Sequence, residues 1–293
     1  MPRITIGMPV FNGAATIAVA IESLLAQTFG DFELVVSDNA STDATRDVVA
    51  GLAAQDGRIS YRRQAVNVGA NNNYSQLAVV AKGEFLKWAS ASDWCAPTFL
   101  ERCVTLLTRD PDAVLAVPRT RLFEGVRAIA VDYPDDIEIL DATPASRLIH
   151  LMQVIRLNNA FNGVIRLAAL RRTRLVEPYQ QADTVLMGHL SLLGKFLLVD
   201  EPLFYRRMEP ATSTALQDAD AVRRHHYPEA TARALLQGWK RHAGWFHAAF
   251  AAPMPAGERL QIFQHLVRRL YWDRHVLAAD LAGVWRFATR RSV

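Results

Sequence analysis

Twice within the first fifty residues a short apolar stretch runs through a polar turn into a helix, an order that commits the chain to a parallel sheet with helical crossovers. Ile4-Thr5-Ile6-Gly7-Met8 reads as a buried strand stopped by Pro9 and the Asn12-Gly13 turn. The helix after it places Ile17, Ala20, Ile21, Leu24 and Leu25 on one stripe. Leu34-Val35-Val36 repeats the strand, and Ser41 or Thr42 is the expected N-cap of a second helix running through Val49. Parallel strands joined in this way need a right-handed crossover. Ligands on such sheets sit beyond the carboxyl ends of the strands, where Pro9, Val10, Phe11 and Asn12 meet the segment from Asp38 to Asp43.

The chemistry of those turns suits a pyrimidine nucleoside. Asp38 can accept from a base N–H or a ribose hydroxyl, and the backbone around Pro9 and Phe11 can pair with the rest of the base edge. The plainer alternative is that Asp38 and Asp43 only cap a turn and a helix, as short polar side chains commonly do.

Residues 9–45, PVFNGAATIAVAIESLLAQTFGDFELVVSDNASTDAT, resemble the opening of the family 2 inverting glycosyltransferases. The likeness continues through Asn67-Val68-Gly69 and Asn73, through Gly83 to Leu86 and Asp93 to Glu101, and resumes at Asp183 and at Leu203 to Arg207. It implies a GT-A fold, an α/β architecture with a mostly parallel central sheet flanked by helices. It also implies a nucleotide-diphosphate donor, taken here as a UDP- or dTDP-sugar, and displacement with inversion at the anomeric carbon. Asn67, Gly69 and Asn73 fall on the donor side of that resemblance.

One departure stands out. Where the family usually carries an acidic run ahead of a Pro, this chain reads Ser90-Ala91-Ser92-Asp93, and Pro97 aligns Ser92 with the usual ligand of a divalent ion. Mg²⁺ and Mn²⁺ prefer charged oxygens, so metal dependence is expected to be weak or absent, with Asp93 the one candidate ligand left. Another positive group must then offset charge on the departing diphosphate. Arg206, Arg207 and Lys87 are the candidates, against the alternatives of a solvated arginine pair and a snorkelling lysine. For the catalytic base, Gln180 to Leu186 resembles the family's acidic motif at a helix start facing the acceptor, which assigns the role to Asp183; a simple N-cap is the alternative. His189 receives no role. Asn158 to Ile165 reads as a strand on the acceptor side, with Asn159 and Asn162 as sugar-binding candidates or plain turn residues.

Organisation follows from the same reading. Residues 1–210 form the expected catalytic domain, with 1–110 the nucleotide-sugar half and 111–210 the acceptor-side half, and 211–293 form a helical C-terminal region. With 51% hydrophobic residues in 293, the chain can bury a large core. No window approaches 18 apolar residues, and Met1-Pro2-Arg3 leads into a strand too short for a signal peptide, so a cytoplasmic protein is expected, with peripheral contact at the inner membrane face left open. Cys95 and Cys103 lack metal-site spacing and read as reduced packing residues. Pro210 to Asp220 reads as a loop or lid. From Ala221 to Val293 twelve Lys or Arg face four Asp or Glu, a charge of +8 interleaved with Trp239, Trp245, Phe246, Phe250, Tyr271, Trp272 and Trp285. Docking of these aromatics on the catalytic domain or a second subunit is favoured over contact with an anionic membrane. No nucleic-acid reader accompanies the charge.

No Gly-rich basic loop or GxGxxG follows the first strand, which argues against a nucleotidyltransferase and a dehydrogenase. The remaining rival is a catalytically silent nucleotide-sugar-binding partner protein. Ala and Arg richness suggests a bacterial source, where a glycolipid, surface polysaccharide or secondary metabolite is the expected acceptor.

Overall fold

The computed structural model describes residues 1–124, 130–208 and 235–290, with side chains to residue 285. The loop expected at Pro210 to Asp220 lies outside them, as do the flanks of the tail at 221–234 and 291–293. The first strand, β1 (Ile4–Val10), runs through Pro9 instead of stopping there, and pairs in parallel with β2 (Phe32–Asp38) so that Val10 faces Asp38. The helix α1 (Ile17–Leu25) makes the crossover, and α2 (Thr45–Ala53) leads to β3 (Ile59–Arg63), which pairs in parallel with β2. After α3 (Ala70–Val80) the chain returns to the other side of β1 as β4 (Phe85–Trp88). Strand order therefore reverses at β1, and the switch point where ligands of such sheets sit lies beyond the carboxyl ends of β1 and β4.

The second helix begins at Thr45 with Ala44 as its N-cap, later than the Ser41 or Thr42 expected from the sequence. The reason is tertiary: the Ser41 hydroxyl accepts the Asn12 amide from the neighbouring loop and is not spent on its own helix.

Beyond β4 come β5 (Trp94–Cys95), α4 (Phe99–Arg109), β6 (Ala113–Phe123), β7 (Val131–Asp132) and α5 (Pro144–Val154). The latter starts with Pro144 behind a capping box between Thr143 and Ser146. Where a strand was expected from Asn158, a 3-10 turn over Asn159–Asn162 precedes the short β8 (Val164–Arg166). Then follow α6 (Leu167–Leu170), α7 (Ala182–Leu193) and the long β9 (Lys195–Arg207). Among the described residues the sheet order is β3-β2-β1-β4-β8-β6-β9-β5, with β7 added at β6; the β1 to β4 half is parallel, and β8 and β5 run antiparallel to their neighbours.

Alternation along the strands fills two apolar layers. Ile6, Met8, Leu34 and Val36 pack with Ile17, Ile21 and Leu24 of α1 and with Phe99, Cys103 and Leu107 of α4. Val35, Leu86 and Trp88 face the opposite layer, with Leu77 of α3, Leu148 and Leu151 of α5, and Leu186 and Leu190 of α7. Cys95 and Cys103 are free thiols buried in the first layer, and burial raises both pKa values.

Three C-terminal helices follow, α8 (Gln237–Ala251), α9 (Ala256–Trp272) and α10 (Arg274–Arg290), and the first two complete the second layer through Trp245, Ala248, Ala249, Ile262 and Leu266. Trp245 of α8 presses onto Gly188 of α7: a Cβ there would fall 1.9 Å from the indole. The aromatics of the tail divide. Trp245 is buried in the second layer, whereas Phe250, Tyr271, Trp272 and Trp285 are exposed. No helix among the described residues is long and apolar enough to cross a membrane.

His189 lies buried on α7, and burial, with His247 and Arg172 nearby, pushes its pKa down to about 4. A histidine held neutral in the fold but titrating near its usual ~6.5 when unfolded leaves stability intact above that pH and erodes it as pH falls toward the folded value. The melting temperature should therefore fall between these two pH values, and His189→Leu should flatten that fall.

Candidate active site

The loops above β1 and β2 are latched to each other. Asn12 takes a positive φ of 52°; its amide donates to Ser41 Oγ at 2.9 Å and its Oδ1 accepts the Thr42 amide at 2.8 Å. Gly13 N donates to Thr45 Oγ1, Ala14 N to Asp43 Oδ2, and Asn39 N to the Val10 carbonyl. Asp43 is therefore a bridge between loops, and its carboxyl is held below the usual range: these hydrogen bonds from Thr45 and Ala14 outweigh partial desolvation, the largest single contribution. Pro9 and Val10 lie within the strand, and Phe11 projects half-exposed at the rim.

Asp38 is 0% exposed. Its Oδ1 accepts the Ser41 amide at 2.8 Å, while Oδ2 accepts the Tyr61 hydroxyl and lies 3.6 Å from Arg63 Nε. The carboxylate thus holds the turn from within. Asn67 Oδ1 accepts from Asn39 Nδ2 and from Gly69 N, and Asn39 Oδ1 accepts the Val68 amide. Gly69 occupies φ 84° at the start of α3, where a side chain would be strained. Asn73 is buried, with its amide engaged by the Ser37 hydroxyl and carbonyl at the end of β2. Asn67, Gly69 and Asn73 together brace the segment between β3 and α3 against the end of β2.

At the altered turn after β4, Ser90 and Ser92 hydroxyls lie 2.9 Å apart, and Ser92 Oγ reaches Asp93 Oδ1 at 3.4 Å. Asp93 is buried. Its Oδ1 accepts the Arg207 amide at 2.9 Å, and Arg207 Nε donates to the Ser92 carbonyl, tying the end of β9 to this turn. Burial raises the Asp93 pKa, while the Arg207 amide, Arg206 and Lys87 oppose the rise. Lys87 is 1% exposed: its ammonium donates to the Asn162 and Trp88 carbonyls and lies 4.3 Å from the Phe99 ring centroid. It is not the snorkelling edge residue weighed above. Among the described residues no group of three or more His, Cys, Asp or Glu side chains comes together, and one buried carboxylate beside two serine hydroxyls is a poor donor set for Mg²⁺ or Mn²⁺.

Asp183 lies in the first turn of α7, whose N-cap is Gln181 at φ 62° with no side-chain cap. The carboxylate is half-buried and accepts from Asn158 Nδ2 at 2.9 Å. Asn158 Oδ1 is buried without a hydrogen-bond partner. Arg206 donates to Asn159 Oδ1 at 2.6 Å; Asn159 Nδ2 in turn donates to Asp136, which also accepts from the Thr120 hydroxyl and amide. Asn159 thereby spends its amide inside the protein. Burial raises the pKa of the Tyr74 phenol, the Asp93 and Asp183 charges add to the rise, and Arg206 opposes it. Asn158, Tyr74 and the Asp136–Asn159 pair escape sequence reasoning, because nothing in an Asn doublet says which amide faces the carboxylate.

A family model for glycosyl transferase family 2 matches residues 5–174, more than half of the chain, and the chain belongs to that family. Among known proteins it is 36% identical over 94 residues to a GalNAc(5)-diNAcBac-PP-undecaprenol beta-1,3-glucosyltransferase of Campylobacter jejuni, a match covering 32% of this chain and 30% of that enzyme. It is 22% identical over 272 residues to the putative glycosyltransferase EpsE of Bacillus subtilis, covering 91% of this chain and 89% of that one. The structure superposes on S. aureus TarS 1-349 in complex with UDP with a TM-score of 0.66, at 15% identity over 92% of this chain and 72% of that one. A mannosyltransferase from Pyrobaculum calidifontis in complex with GDP-Man and Mn2+ gives 0.55 at 16% identity, covering 97% and 88%. The fold is GT-A, followed by C-terminal helices.

Proposed function

We propose that the chain is an inverting glycosyltransferase that moves a sugar from a UDP- or dTDP-linked donor to an acceptor hydroxyl, with little or no reliance on a divalent ion. The observation that carries this reading is Asp183, a half-buried carboxylate steered by Asn158 instead of capping its own helix. The TarS complexes with UDP and UDP-GlcNAc support the donor class, and the Campylobacter relative, named for an undecaprenol-linked acceptor, supports a glycolipid over a polysaccharide or secondary metabolite. In this reading residues 1–110 seat the nucleotide, 111–210 supply the acceptor side, and α8 (Gln237–Ala251) braces α7 through Trp245. A cytoplasmic bacterial enzyme fits this chemistry.

The steps assign a task to each group. Asp183 takes the proton of the acceptor hydroxyl as its oxygen bonds to the anomeric carbon, opposite the leaving phosphate. The bond from that carbon to the phosphate oxygen breaks, and the nucleoside diphosphate departs with the electron pair. Arg206, fixed by Asn159, balances the charge that develops there, and Arg207 holds the Ser92–Asp93 turn that borders the diphosphate. Asp93, held by the Arg207 amide and flanked by Arg206, keeps that arginine in place more readily than it ligates a metal. Pro9, Val10, Phe11 and Asn12 present the base-binding edge, and Asp38 acts through the turn it holds. The alternative of a silent partner protein leaves the Asn158–Asp183 and Asp136–Asn159–Arg206 arrangements without a use.

Asp38→Ala should raise the donor's dissociation constant by about tenfold, near 1.4 kcal/mol, because the Ser41 amide and Tyr61 hydroxyl lose their acceptor and the loop loosens. Isothermal titration with UDP would register this, and an unchanged constant would remove Asp38 from donor binding. EDTA should lower the rate by less than about twofold, given that hard cations need charged oxygens that this turn lacks; complete loss reversed by Mn²⁺ would overturn the metal-poor reading. The function as a whole is tested by incubating the protein with UDP-, dTDP- and GDP-sugars and a lipid-linked acceptor and reading the product's anomeric configuration by NMR. Inversion supports the proposal; retention, or no transfer from any donor, defeats it.

A further inference from the structure

The helices α9 and α10 each bury one face and turn another outward. On α9, Ile262 and Leu266 point into the core while Leu260, Val267 and Tyr271 form an exposed stripe at i, i+7 and i+11. On α10, Leu277 is buried, and Arg274, Leu281 and Trp285 share an exposed face at the same spacing. The stripes meet at the joint between the helices, where the Arg274 guanidinium lies 4.5 Å from the Tyr271 ring centroid and Trp272 is 56% exposed.

Charge on this region is sorted by direction. The acidic residues between 235 and 290 are Glu258, Asp273 and Asp280, and each is drawn inward. Glu258 accepts the Ala145 amide of α5, Asp273 pairs with Arg241 and His242, and Asp280 takes the Gly238 and Trp239 amides at the start of α8. Arg268 and Arg274 are exposed beside the apolar stripes. The outward face is therefore basic and aromatic, with its carboxylates turned away.

We propose that this face of α9 and α10 docks on an anionic lipid surface, with the arginines at the phosphate headgroups and Tyr271, Trp272 and Trp285 within the headgroup layer. The combination is what an interfacial helix needs: apolar side chains that leave water, polar-tipped aromatics, and cations drawn to anionic lipid. Neither helix can cross a bilayer, so both lie along it. A nucleic acid would engage the arginines and leave the apolar stripes unused. A second copy meeting the same face across a two-fold axis would set like charges against each other. The inference rests on this surface and not on the donor reading, so each can fail alone.

The test is flotation of the full chain with phosphatidylcholine vesicles, with and without phosphatidylglycerol, in about 0.1 M salt. The expected result is at least about tenfold more protein on the anionic vesicles, lost in about 1 M salt. Tyr271→Ser with Trp272→Ser, and separately Arg268→Gln with Arg274→Gln, should each lower binding about tenfold while circular dichroism and transfer to a short water-soluble acceptor stay unchanged. No binding to anionic vesicles, equal binding to neutral ones, or a concentration-dependent dimer that the same variants dissolve would each overturn the proposal, the last by naming a second copy as the occupant.

Discussion

Asp183→Asn is expected to lower turnover by about a hundredfold or more, near 2.7 kcal/mol of barrier, while donor affinity stays within about twofold. The amide is isosteric, so Asn158 and the first turn of α7 keep their shape, but it cannot take a proton. Asp183 is held by Asn158 at the start of α7, whereas the loops after β1 and β2 are anchored on each other and on α3, away from that contact in the hydrogen-bond network. Binding and chemistry should therefore separate cleanly in kcat against donor Kd. Asn158→Ala offers a graded companion: it keeps the base but frees its orientation, and should cost less than Asp183→Asn. Unchanged turnover in Asp183→Asn would take the residue out of the mechanism.

Trp245→Ala is expected to carry the largest stability cost, about 3–5 kcal/mol by urea denaturation. The indole is buried and fills the notch made by Gly188, close to where Leu148 of α5 also arrives, so α5, α7 and α8 share one contact. Truncation leaves a cavity that these three helices cannot all close upon. Gly188→Val attacks the same contact from the other side by overfilling it. Because α7 also carries Asp183, activity should fall with stability in both variants. A loss below about 1 kcal/mol in Trp245→Ala would mean that the C-terminal helices brace α7 far less than the packing implies.

The N-terminal half of the fold was legible because its signals are local. The apolar runs of β1 and β2, the stripe on α1 and the turn residues between them each specify one element, whereas the return of β4 to the far side of β1 carries no local signal. What failed depended on partners distant in sequence. Ser41 and Thr42 resemble an N-cap in composition, yet they bind Asn12, about thirty positions earlier. The stretch from Asn158 looks extended, but Asn159 must turn to reach both Asp136 and Arg206. The tail's aromatics could not be divided from sequence, since α9 carries apolar residues on its buried and exposed faces alike. At the candidate site the residue types at Asp38, Asp93, Asp183 and Arg206 were visible, but their connections were not. The Asp38 carboxylate is buried beneath Tyr61 and Arg63, partners that its sequence position did not announce.

The most direct measurement is calorimetric titration of UDP-sugars, with dTDP- and GDP-sugars alongside, into Asp183→Asn, which should bind donor without consuming it. One saturable site per chain, displaced by UDP and weakened by Asp38→Ala, is the expected result. No heat from any nucleotide sugar at millimolar concentration, in a protein whose circular dichroism is native, would contradict a donor crevice above β1 and β4.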